Sequence, residues 1–231
     1  MSTTITMKAS QVRALFEPIL PFTDKGDSLP SLTCALITSA GGYLYATATD
    51  RYRLGVQRVK VGDSLPDGLR FLIERSSMRG ILALYKVSRH DDPEMKLTID
   101  GERLTITGAG SFGFLDSSTS WSLPGYEYPK ISRLLTDAAE TAGKGSKPTA
   151  LNAAFLADFR AAVPRFGTNP MRVWTNGTHA TFVRIGEDFI GALMAVRFSD
   201  DLTDGYAPGL GDDWLAGLGV CAPVEAEQVS A

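Results

Sequence analysis

The glycines of Gly108-Ala109-Gly110-Ser111-Phe112-Gly113 have the spacing that cradles a dinucleotide pyrophosphate at a helix N-terminus. That chemistry requires a helix to follow. Here the segment lies between two strand-like runs, so it reads as a hairpin connection. His90 sits in a charged loop and His179 beside an Asn-Gly turn, with no His or Cys at ligand spacing, so neither reads as a metal ligand or a catalytic base. No serine occupies a nucleophile elbow, and no lysine follows a glycine loop in the manner of a phosphate-binding loop. The acid pairs Asp91-Asp92, Asp200-Asp201 and Asp212-Asp213 lie in loops or tail, where sequence neighbours seldom converge on one substrate. Cys34 and Cys221 are too few for a disulfide scaffold and too far apart for a zinc knuckle. Asn176-Gly177-Thr178 spells a glycosylation acceptor, but a turn accounts for it. The chain is expected to be a binding protein, not an enzyme, with neither cofactor nor metal.

A chain of 231 residues that is 44% hydrophobic can bury one generous core or two modest ones. No apolar run approaches the roughly 18 residues of a membrane span, and the N-terminus lacks the layout of a signal peptide, which predicts a cytoplasmic protein. Charge is uneven. Residues 199–231 hold seven acids and no Lys or Arg, so the rest carries 23 basic against 19 acidic residues. A body of about +4 is a mild cationic bias and no nucleic-acid footprint by itself. The tail reads as an acidic, flexible extension over 199–231.

Repeats organise the elements. Residues 4–7 alternate as a strand, and Val12, Leu15, Phe16 and Ile19 fall at helical spacing, with Pro18 and Pro21 to kink and end the helix. Strands are predicted at 32–38, 43–49 and 52–59. The same order returns with a strand at 70–73, a helix carrying Met78, Ile81, Leu82 and Tyr85 on one face, and strands at 95–99, 103–107 and 111–116. A third copy has a short strand at 149–151, a helix near 152–163, and strands at 171–175, 180–185 and 189–198. One such repeat cannot bury a core alone, so two are expected to pair across a continuous sheet with both helices on one side. The third either packs on that pair or pairs with another molecule.

These β-α-β-β-β repeats, with Ala48-Thr49-Asp50-Arg51-Tyr52-Arg53-Leu54 between the last two strands of the first, resemble the bacterial DNA polymerase III sliding clamp (beta subunit) family. Three further segments support the resemblance in order. Residues 32–37 resemble the strand leading into that motif. Tyr128-Pro129-Lys130-Ile131-Ser132-Arg133-Leu134-Leu135 resembles the connector between the middle and last domains, and Ala192-Leu193-Met194-Ala195-Val196-Arg197-Phe198 the closing strand. The resemblance implies an α+β DNA-clamp (processivity) fold with helices on one face of antiparallel sheets. It implies a clamp domain at 1–131, a connector at 132–148 and a third unit at 149–198, a shortened form lacking the first domain and part of the last.

The family's pocket for linear clamp-binding peptides maps, position by position, to Leu32, Thr49, Tyr52, Arg53, Leu54, Pro129, Arg133, Leu134, Met194, Val196 and Arg197. In chemical terms this is an apolar cleft for leucine or phenylalanine anchors, with an adaptable methionine and arginines at the rim for carbonyls or a flanking carboxylate. Arg51-Tyr52 stands where the family has a small residue and a histidine, and Ala195 replaces a proline, so peptide preference is expected to differ. The implied function is a DNA polymerase processivity factor in DNA replication. Its implied partners are a polymerase and clamp loader, double-stranded DNA slid along without sequence preference, and other copies in a homo-oligomer. DNA-facing cations would be Arg13, Arg75, Arg79, Lys86, Arg89 and Arg160. The alternative is a non-ring clamp mimic that sequesters or redirects clamp-binding proteins.

Overall fold

The computed structural model describes residues 2–26, 29–88, 91–109, 116–142, 149–164, 169–175, 177 and 179–196. The first repeat opens with β1 (Ser2–Lys8) and α1 (Ala9–Phe16). Helical spacing puts Val12, Leu15 and Phe16 on one buried face, and after Pro18 the chain tightens into a 3-10 turn at Leu20–Phe22. A second 3-10 turn at Pro30–Thr33 leads into β2 (Cys34–Ala40), followed by β3 (Tyr43–Thr49) and β4 (Arg53–Lys60). The second repeat comprises β5 (Arg70–Glu74), α2 (Arg75–Leu84), β6 (Glu94–Asp100), β7 (Arg103–Ala109) and β8 (Asp116–Ser122). Met78 and Ile81 of α2 are buried, and Tyr85 just beyond donates its hydroxyl to the Ile106 carbonyl at 3.2 Å.

The two repeats do not share one continuous sheet, as the sequence suggested. They exchange strands. β1 pairs antiparallel with β6, giving a four-stranded sheet β1-β6-β7-β8, while β5 crosses over to β2. Each repeat thus donates its first strand to the other, which closes both sheets over one core beneath α1 and α2. The expected strand at 111–116 lies outside the described residues except for Asp116, where β8 begins; β8 pairs residue for residue with β7 from Arg103↔Ser122 to Ala109↔Asp116. The glycine-rich run lies largely outside the described residues.

Helix α3 (Ser132–Glu140) occupies the expected connector. The third repeat then has no strand at 149–151. It consists of α4 (Ala153–Asp158), capped by the Asn152 side chain accepting from the Ala154 and Phe155 amides, a 3-10 turn at Phe159–Ala162, and β9 (Met171–Trp174), β10 (Thr181–Ile185) and β11 (Phe189–Leu193). Its last strand runs antiparallel along β4, extending the second sheet to seven strands, β5-β2-β3-β4-β11-β10-β9. The third repeat therefore completes the first by edge pairing within the chain.

Side-chain alternation gives this sheet two buried faces. Ala35, Ile37, Val183 and Leu193 point into the main core, where Phe22, Phe159 and Phe189 meet with ring centroids 4.9 to 6.0 Å apart. On the opposite face, Tyr128 and Ile131 cover Cys34, Leu36 and Leu72, and α3 lays Ala138 and Leu135 over Leu54, Ala180 and Ala192. Tyr128 donates to the Thr47 carbonyl at 3.2 Å. Burial, with the nearby Cys34, pushes its phenol pKa above the ordinary value near 10, so below that value the neutral hydroxyl is present in both states. As pH rises through the unfolded value, the unfolded phenol ionises first and stability falls. Urea unfolding near neutrality and above about pH 10 is expected to show that loss in the wild type and a smaller one in Tyr128→Phe.

Candidate functional site

The motif turn Thr49–Arg53 is closed by its own polar side chains. Asp50 accepts from the Tyr52 and Arg53 amides at 3.1 and 3.0 Å, and Thr49 Oγ1 donates to the Arg53 carbonyl at 2.8 Å. The turn carries β4 directly to β11, and past that pairing Met194 donates its amide to the Tyr52 carbonyl at 2.8 Å. Val196 in turn donates to the Ala150 carbonyl at 2.9 Å. Residues 194–196 are thus held in place by backbone bonds on two sides. Beside them stands α3, which packs on β10 and β11.

This junction exposes large apolar groups that a stable fold would otherwise bury: Tyr52 at 58%, Val196 at 41%, Met194 at 39% and Leu134 at 38%. Pro129 and Arg133 are exposed as well, Arg133 lying 3.7 Å from Asp137 with its side chain almost fully in solvent. Four other residues expected to line the pocket are placed differently. Leu32, Leu54 and Thr49 are buried, because alternation along their strands and the 3-10 turn at Pro30–Thr33 turn them inward. Arg53, expected at the rim, is only 6% exposed. Its guanidinium bonds Asp50 at 2.9 Å, pairs with Asp158 of the third repeat, donates to the Pro21 carbonyl at 2.9 Å and lies 4.6 Å from the centre of the Phe155 ring. Burial alone would lower its pKa, but the bonds to Asp158 and Asp50 outweigh it and raise the value, so the group stays charged. Arg197 lies outside the described residues.

Sequence reasoning missed Phe155 and Asp158. Phe155 stacks on Tyr52 with centroids 5.8 Å apart, and Asp158 ties the third repeat to the motif turn. Both fell in a segment read only as a helix near 152–163, and nothing in their local pattern marked them as neighbours of residue 52. Lys25, Arg51, Tyr52 and Phe155 help to line a cavity of about 260 Å3 beside the turn.

The expected DNA-facing cations separate into two kinds. Arg79, Lys86 and Arg160 are exposed. Arg13 pairs with Glu17 and donates to the Leu82 carbonyl at 2.9 Å, and Arg75 bonds the Leu20 carbonyl and, at 2.5 Å, Thr23 Oγ1. Burial, then the charges of Arg79 and Arg53, lowers the Arg75 pKa. Those two guanidinium groups hold the fold together instead of forming an open cationic face. Arg13 and Arg160 border an open cleft of about 1310 Å3 between α1 and the α4 segment, which Glu17 and Asp158 also line. Arg89 and His90 lie outside the described residues. Among the described residues no three His, Cys, Asp or Glu side chains group as metal ligands, and no helix is long and apolar enough to cross a membrane.

Comparison with protein-family models finds no match, and neither does comparison with curated protein sequences. Comparison with solved structures does. The chain superimposes on the DNA polymerase sliding clamp of Pseudomonas aeruginosa with a TM-score of 0.65 at 14% identity, over 84% of this chain and 67% of that one. The DNA polymerase III beta subunit of Thermotoga maritima gives a TM-score of 0.65 at 13% identity, over 85% of this chain and 66% of the other. The Bacillus subtilis sliding clamp gives 0.64 at 13% identity, covering 85% and 65%. The chain spans about two thirds of the length of these proteins and has their fold, a clamp-like α+β arrangement of antiparallel sheets.

Proposed function

We propose that the chain is a sliding-clamp-like protein of DNA replication that docks linear clamp-binding peptides of a polymerase or clamp loader. The peptide would lie in the groove between α3 and residues 194–196. One observation carries this reading: Tyr52, Leu134, Met194 and Val196 are exposed where β4, β11 and α3 converge, and the backbone bond from Met194 to Tyr52 holds two of them in register. Exposed apolar groups on a rigid backbone suit leucine or phenylalanine anchors, and the methionine adapts to either. Arg133 at the edge can bond a peptide carbonyl or carboxylate.

The test is fluorescence polarisation with a short synthetic peptide carrying Leu and Phe anchors. Met194→Ala is expected to weaken binding about tenfold, roughly what losing one anchor contact costs, with little change in melting temperature because the side chain is half in solvent. Unchanged affinity would sink the groove as the docking place.

One feature favours a clamp mimic over a sliding ring. The junction between repeats joins the last strand of the first, β4, to the last strand of the third, β11, while β8, the last strand of the second, forms the outer edge of its sheet. Copies joined by the same kind of junction would need a free β4 edge for each β8, and every β4 is already paired. Docking without encirclement, which sequesters or redirects clamp-binding proteins, is the reading that this count of edges supports. Native mass spectrometry at micromolar concentration separates the readings: a monomer fits the mimic, whereas a closed oligomer would restore the processivity factor and give Arg79, Lys86 and Arg160 a channel to line.

A further inference from the structure

Arg51 adopts φ 79°, and it is the one residue other than glycine with positive φ among the described residues. A long L side chain is strained in that region, which glycine enters freely. The turn does not need the arginine. Its closing bonds use the Tyr52 and Arg53 amides to Asp50 and the Arg51 amide to Thr49 Oγ1 at 3.3 Å, all of which a glycine would keep. Among the described residues the Arg51 guanidinium makes no ion pair. Strain without a structural return marks a position held for what its side chain does.

That side chain borders the cavity of about 260 Å3 lined by Thr23, Asp24, Lys25, Tyr52 and Phe155. The stacked Tyr52 and Phe155 rings provide an apolar wall. Asp50 also reaches the cavity, but its carboxylate is engaged by Arg53. Lys25 and Arg51 then stand against Asp24 alone, so the space is net cationic. Tyr52 belongs to both places: its ring faces Phe155 at the cavity while its carbonyl holds Met194 in the groove.

We propose that this cavity is a second subsite of the groove that receives an acidic residue flanking the peptide's apolar anchors, with Arg51 as the residue that sets the preference. The proposal rests on the docking function above and adds the chemistry of the flank. A carboxylate reaching Arg51 over an aromatic wall gains a charge-assisted bond in a partly desolvated place.

The test uses two synthetic peptides with the same Leu and Phe anchors, one flanked by Asp and one by Asn, against wild type and Arg51→Gly. Wild type is expected to favour the Asp peptide by about five- to tenfold, as one partly exposed charge-assisted bond allows, with the margin shrinking in high salt. Arg51→Gly is expected to bind both peptides like wild type binds the Asn form, with a melting temperature at or above wild type because glycine takes the turn unstrained. An equal affinity of wild type for the two peptides, or a preference that survives in Arg51→Gly, overturns the subsite while leaving the groove intact. Failure of wild type to bind either peptide overturns both.

Discussion

Gly191→Ala is expected to destabilise the protein by about 2–4 kcal/mol, a cost typical of overpacking where neighbours cannot yield. A methyl at this position would stand 2.6 Å from the Leu54 carbonyl oxygen and 2.7 Å from the Phe159 ring. The first is backbone, and the second is a fully buried side chain wedged between Phe22 and Phe189. Gly191 pairs directly with Gly55, where an added methyl would meet the Phe22 ring at 2.9 Å. Two facing glycines thus let β4 and β11 lie close beneath a cluster of three aromatic rings. Gly125→Ala, at a position with open space around it, is the control and should change little. Urea unfolding gives the energy, and hydrogen exchange should show loss of protection first in β9 to β11. A wild-type midpoint in Gly191→Ala would mean that the junction is looser than described.

Arg53→Ala should cost about 3 kcal/mol, the order expected when one member of a buried, hydrogen-bonded charge network is removed. The figure is kept modest because the Asp158 side chain is 44% exposed and water screens that pair. Asp50 is the more deeply placed partner, and it also holds the amides of Tyr52 and Arg53. Arg53→Lys should recover only part of the loss, since a single ammonium cannot span Asp50, Asp158 and the Pro21 carbonyl at once. A double-mutant cycle with Asp158→Asn isolates the tie between the motif turn and the third repeat. If Arg53→Ala matched wild type in urea while abolishing peptide binding, the guanidinium would be acting on the ligand instead of on the fold.

Element types were largely legible in the sequence because alternation and helical spacing are local. The run Tyr43–Thr49 was read to its ends, and Met171, Arg103 and Arg70 each begin a strand where expected. The partnering of strands was less so. Nothing near Ser2–Lys8 announces that its neighbour is Glu94–Asp100, since strand exchange is decided by how two helices and two sheets close over one core. The strand Asp116–Ser122 went unread beyond its first residue for a related reason: it is mostly Ser and Thr, and only its ladder with β7 makes it a strand. Among the residues that the clamp motif singled out, Tyr52, Leu134, Met194 and Val196 are exposed, whereas Arg53 is buried. An arginine's sequence neighbours cannot say whether it faces solvent or a distant Asp158.

The exchange of first strands also orders events in time. As the chain leaves the ribosome, Ser2–Lys8 has nothing to pair with until residues 94–100 emerge, and Arg53–Gln57 waits still longer for Phe189–Leu193. Contacts so far apart in sequence carry a large loop-closure cost before they return anything, so folding should be slow and late, with apolar edges open to chaperones in the interval. The groove is made last of all, because its floor arrives with β11. On the docking function proposed above, a chain stopped before the third repeat would therefore bind no clamp-binding peptide, and binding would itself report that synthesis had run to β11.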